Sequence, residues 1–139
     1  MISITEWLES KSNLQPALEG WLIATPKAIF DAPLTPLKQQ AIGQWYMACM
    51  TCYRSNKSEP KQAASWIQLA YSYLQVMASD QSHTHEVRLW CLQRLDHLIV
   101  ALLECAQHSG ENTEEAISAH IAFMSSQQHR NLPADLQAP

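Results

Sequence analysis

Glycine is scarce in this chain, with only three in 139 residues: Gly20, Gly43 and Gly110. A phosphate-cradling loop needs several glycines close together so that backbone N–H groups can approach the ligand, and that class of site is excluded. Positive charge is also in short supply. Nine Lys and Arg stand against thirteen Asp and Glu, a net charge of −4, and nowhere do basic residues form a run. The electrostatic attraction that dominates binding to a phosphate backbone is missing, so no nucleic-acid partner is expected. Long apolar runs are absent too: the longest, Leu98 to Leu103, is six residues, against the ~20 that a spanning helix requires. The opening Met-Ile-Ser-Ile-Thr-Glu-Trp has neither the basic stretch nor the apolar stretch of a secretory signal. A cytoplasmic protein with no membrane partner is the expectation.

What the chain does have is helix-forming residues. Ala, Leu, Gln, Glu and Met are abundant, and β-branched residues are too scattered for alternating strand patterns, so the chain reads as all-α. Its length suits one domain, expected over residues 1–130, with 131–139 a frayed tail. Ser3, answered by Glu6, caps a short first helix ending near Ser10. A second starts near Asn13, tolerates Pro16 in its first turn and stops at Pro26. The prolines at 26, 33 and 36 leave room for one helical turn around Ala28 to Phe30.

Three long helices follow. The first takes Thr35 as cap and Pro36 at its first position, runs to about Ser55, and carries Leu37, Ala41, Ile42, Trp45, Ala48, Cys49 and Cys52 on its core stripe. The next starts at Pro60 and ends near Asp80, with a stripe of Ala63, Trp66 or Ile67, Ala70, Tyr73 or Leu74, and Met77. The third starts between Ser82 and Thr84 and ends at Gly110, placed to terminate it in a left-handed conformation. Leu98 to Leu103, apolar on every side, implies that this helix is central. Asn112 and Glu115 form a capping box for a last helix bearing Ile117, Ile121 and Met124. Short connections between long helices imply an antiparallel up-and-down bundle of four main helices with a short N-terminal helical pair.

Chemistry-bearing motifs are few. Cys49 and Cys52 have redox-like spacing, yet both lie on the core stripe, far from the helix N-terminus whose dipole would activate a thiol. All four cysteines sit in apolar, helix-like surroundings, so reduced, buried thiols are expected. Neither His-Glu-x-x-His nor Glu-x-x-His occurs, so no metal and no cofactor are expected. His83 and His85 read as a solvated cap region, and His120 as a hydrogen-bonded structural residue. Glu104 and His108, one turn apart, read as a pair. Residues Trp66, Leu69, Ala70 and Tyr73 resemble the opening of a tetratricopeptide repeat, but the rest of that period of about 34 residues departs from the pattern. With no nucleophile elbow either, the chain is not expected to be an enzyme.

The remaining signal is aromatic: five Trp and four Tyr. Most suit the core, but Tyr46, Tyr53 and Tyr71 fall off the main stripes, where they would rim a groove or an oligomer seam. A non-catalytic helical interaction module is expected, a small adaptor, regulator or chaperone-like protein that binds a protein partner or a second copy. The alternative is a small-molecule or metal/thiol sensor with a pocket between the long helices. Trp45, Trp66, Tyr73 and Trp90 would line that pocket, or Cys49 and Cys52 would supply its thiols.

Overall fold

In the computed structural model, which describes residues 2–11 and 18–130, the regular elements are all helices. They are α1 (Ile4–Ser10), α2 (Leu18–Ile23), a 3-10 turn (Lys27–Phe30), α3 (Pro36–Ser55), α4 (Pro60–Ser79), α5 (His85–Ser109) and α6 (Glu114–Arg130). The expected start of the second helix at Asn13 to Pro16 and the tail 131–139 lie outside the described residues.

Local chemistry sets most of these boundaries. The Ser3 hydroxyl accepts the Glu6 N–H at 3.1 Å, Thr35 accepts from Lys38 at 3.3 Å, and Thr84 accepts from Val87 at 3.2 Å. Each satisfies one of the N–H groups that a helix start leaves without a partner. Gly110 takes φ 74°, and the Glu111 N–H turns back onto the Ala106 carbonyl at 2.9 Å, closing α5 in a left-handed terminator. At α6 the anticipated capping box takes a different form: Asn112 Oδ1 accepts from Glu114 N at 2.9 Å, and the helix begins at Glu114.

The long helices pack in chain order. The start of α4, at Pro60, Lys61 and Ala64, lies along the end of α5, at Leu102, Cys105 and Ala106. Trp45 of α3 meets Tyr73 of α4 edge-on at 5.9 Å. Connections of four and five residues join these long helices. The most extensive packing is of α4 against α5, followed by α4 against α3. The central element is thus α4 and not the second half of α5: Val100, midway along the apolar run, is 54% exposed. The reason lies in residue size. On α4 the buried stripe is Ala63, Ile67, Ala70, Leu74, Met77 and Ala78, and its three alanines let both neighbours approach closely. Ile67 and Leu74 point inward, which turns Trp66 and Tyr73 to the sides.

The N-terminal helices pack on α3 and are joined by two tryptophans with no solvent exposure. The indoles of Trp7 and Trp21 stack 3.9 Å apart at 6° between planes. Trp7 Nε1 donates to the Trp21 carbonyl at 2.9 Å, and Trp21 Nε1 donates to the Trp7 carbonyl at 2.7 Å. Both carbonyls lie near helix ends. The Thr25 N–H goes to Leu22 and the Lys11 N–H to Leu8, so each indole serves a carbonyl that its own helix leaves without a backbone donor, the one on Trp7 also accepting from the Ser10 hydroxyl.

A second aromatic cluster ties the 3-10 turn to the bundle. Phe30 stacks on Tyr73 at 4.5 Å and meets Trp45 edge-on at 4.9 Å. His83 lies beneath it, 4% exposed, its Nε2 2.8 Å from the Phe30 carbonyl. The solvated reading of His83 is corrected: the α4–α5 turn folds its ring inward to serve a buried carbonyl.

The last helix departs from its expected stripe. Ile121 is 57% exposed, while His120 and Gln127 are buried. The rotation follows from a relay of three polar groups: Tyr71 of α4 and Asp96 of α5 hold the two ring nitrogens of His120 at 2.7 and 3.0 Å. His120 and Gln127 thus dock beside Phe123 and Met124, the latter from the expected stripe, while Ile121 turns to solvent.

Candidate functional site

Because α4 separates their backbones, α3 and α5 meet mainly through long side chains. Tyr46 reaches Trp90 edge-on at 6.0 Å, with the Arg94 guanidinium 4.7 Å over the Trp90 ring. Further along, the Tyr53 hydroxyl donates to Glu104 Oε2 at 3.4 Å. Glu104 thus turns toward Tyr53, across the groove, where its own helix had suggested His108.

Beside the Tyr46 and Trp90 contact the two helices leave an open cleft of about 320 Å³, lined by Leu34, Gln39, Ile42, Gly43, Glu86, Val87 and Trp90. Gly43 leaves one stretch of the wall without a side chain. A Cβ placed there would meet nothing within 4 Å. One turn further along α3 stands Met47, 65% exposed and outside the lining of the cleft. The result is an apolar furrow notched at Gly43, with a projecting side chain one turn away on the same helix. Burial pushes the Tyr46 phenol above its ordinary range, against the opposing pull of Arg94, so this hydroxyl stays neutral and available for hydrogen bonding.

The sequence-derived site residues fall in several places. Tyr46 and Trp90 flank the furrow, whereas Tyr53, 6% exposed, lines a separate small cleft with Lys57, Glu104 and His108. Tyr71 is elsewhere, on the α4 side bonded to His120. Trp45 and Tyr73 converge on Phe30 in the core, and Trp66 is half-buried with its indole N–H unpartnered. These four rings therefore do not line one pocket. Gly43, Met47 and Val87 were not anticipated as site residues. The available signal was a glycine in the interior of a helix otherwise made of good helix formers, at a cost of about 1 kcal/mol relative to alanine.

Burial raises all four thiols. Cys49 is fully buried, and desolvation, reinforced by Cys52, pushes it up to about 12. Cys52 is pushed up to about 11 by burial and then by Glu19, and Cys91 to about 12 by burial. Cys105 borders two clefts, but burial and the neighbouring Glu104 raise it as well. A nucleophilic or metal-binding thiolate needs the opposite shift. Among the described residues, no group of three or more His, Cys, Asp or Glu is arranged to hold a metal ion, and no helix is long and apolar enough to cross a membrane.

A second cleft of about 300 Å³ lies where the start of α4 meets the end of α5 and the beginning of α6, lined by residues including Lys61, Gln68, Glu111 and Asn112. Its walls are more polar than those of the furrow, and among the described residues none of the buried polar atoms without a partner belongs to a residue that lines it. No protein-family model, curated protein or solved structure matches this chain.

Proposed function

We propose that this chain is a non-catalytic helical interaction module, a small cytoplasmic adaptor, regulator or chaperone-like protein, which binds another polypeptide in the furrow between α3 and α5. The observation that carries this reading is the furrow itself: Leu34, Ile42, Val87 and Trp90 form an apolar strip along two helices, opened by Gly43. Such a strip suits the apolar face of a third helix, read by side chains three and four residues apart. Trp90 and Tyr46 supply the large, rigid contact area that dominates binding energy at protein interfaces. The raised, buried thiols weigh against the thiol form of a sensor.

Photocrosslinking in cells tests the reading. A photoreactive phenylalanine analogue at Val87, on the furrow wall, is compared with the same analogue at Val76, which is 68% exposed on α4 and away from the furrow. Crosslinks to a protein, of either kind, from Val87 and not from Val76 are expected. A furrow position that captures no polypeptide ends the proposal.

A further inference from the structure

The helix α3 carries both parts of a self-complementary joint, one of them, Gly43, in the wall of the furrow. Met47 projects into solvent, 65% exposed, and Gly43, four residues earlier, leaves open space where a Cβ would be. Residues four apart share a helix face and lie about 6 Å apart along its axis. A two-fold axis passing beside α3, at right angles to it and level with the point midway between these residues, lays two copies of the helix antiparallel. Each Met47 then enters the notch above the other copy's Gly43. The same patch is used twice and the contact closes on itself, as an isologous interface requires. Methionine suits this use because its unbranched, polarizable side chain adapts to an irregular hole.

Charge along the furrow supports the same pairing. At the Gly43 end the wall carries Glu86, in the first turn of α5. Toward the other end stand Arg94, over the Trp90 ring, and the exposed Arg54 in the last turn of α3, both acting on the Tyr46 phenol. The two-fold operation reverses the direction of the furrow, so the acidic end of one copy faces the basic stretch of the other. Elsewhere a chain of net charge −4 repels its own copies, whereas this strip does not.

We infer that the occupant of the furrow is a second copy of this chain, packed α3 against α3 about a two-fold axis with Met47 seated over the partner's Gly43. The inference rests on the furrow being an interaction surface and names what fills it.

Sedimentation velocity on the purified chain reads the mass directly, and a doubled mass is expected. Met47→Asp removes the knob and Gly43→Leu blocks the notch. Each should weaken the dimer at least about tenfold, with the far-UV circular dichroism of the monomer unchanged. A charge reversal supplies an arm independent of any damage to the fold: Glu86→Arg should weaken the dimer, and adding Arg54→Glu and Arg94→Glu should restore it. A wild-type monomer, or a dimer indifferent to Met47→Asp and Gly43→Leu, overturns the inference, as does failure of the restoring charges. Crosslinks from Val87 to a different protein, with the purified chain monomeric, overturn the second copy and leave the interaction module standing. The absence of any crosslink ends both.

Discussion

Replacing Trp7 with phenylalanine isolates what the paired indoles contribute. The ring stays apolar and stacked on Trp21, but the Nε1–H that donates to the Trp21 carbonyl at 2.9 Å is lost. That carbonyl is buried near the end of α2, and the next backbone N–H in reach, on Thr25, is already bonded to Leu22. Leaving such an acceptor without its donor costs about 1–3 kcal/mol. The smaller ring adds about 1 kcal/mol in lost burial and packing, for a total of about 2–4 kcal/mol. The reverse substitution is not equivalent. In Trp21→Phe the Trp7 carbonyl keeps the Ser10 hydroxyl as donor at 2.7 Å, so the loss should be smaller by about 1 kcal/mol. Urea unfolding followed by far-UV circular dichroism measures both, with a midpoint falling by about 1–2 M for Trp7→Phe if the slope is of ordinary size. Near-UV circular dichroism should lose the coupled-indole signal in either variant. A Trp7→Phe chain within about 0.5 kcal/mol of the original, or a Trp21→Phe chain that loses more, refutes the view that each indole completes the other's helix end.

Three further outcomes follow from the geometry. Cys49 and Cys91, both pushed up to about 12 by burial, should resist a thiol reagent in the native protein and react once it is unfolded. Since the folded thiols ionise at higher pH than the unfolded ones, their contribution to stability is complete below the unfolded value. It is lost as pH rises toward about 12, so urea midpoints should decline through the alkaline range and decline less in Cys49→Ala. Gly110→Ala forces a side chain into a left-handed conformation at φ 74°, costing about 1 kcal/mol, and should lower the melting temperature by about 2–4 °C. Leu74→Ala empties a fully buried position on the central helix and should cost about 2–5 kcal/mol, whereas Val76→Ala, 68% exposed, should stay within about 0.5 kcal/mol by the same unfolding assay.

Much of this protein was written locally. Thr35 followed by Pro36, Thr84 followed by Val87 three residues on, and Gly110 after a long apolar helix each act within one turn of their own backbone, so the chain's order alone placed the boundaries of α3 and α5. The all-helical class was legible for the same reason: propensity and a spacing of three and four residues are properties of a segment. The cysteines too were readable as buried residues, because Cys49 and Cys52 share a stripe with Trp45 and Ala48.

What the tertiary structure decided is which of several adequate faces turned inward. On α4, Ile67 competed with Trp66 and Leu74 with Tyr73, and the close approach of α3 and α5 over Ala63, Ala70 and Ala78 selected the smaller residue each time. On α6 the apolar periodicity pointed to Ile121, but Tyr71 and Asp96 together offered His120 two hydrogen bonds, and the helix turned to take them. The furrow belongs wholly to this level. Gly43 is unremarkable until α5 is set across from it at a distance that α4 dictates, because a notch exists only between two surfaces.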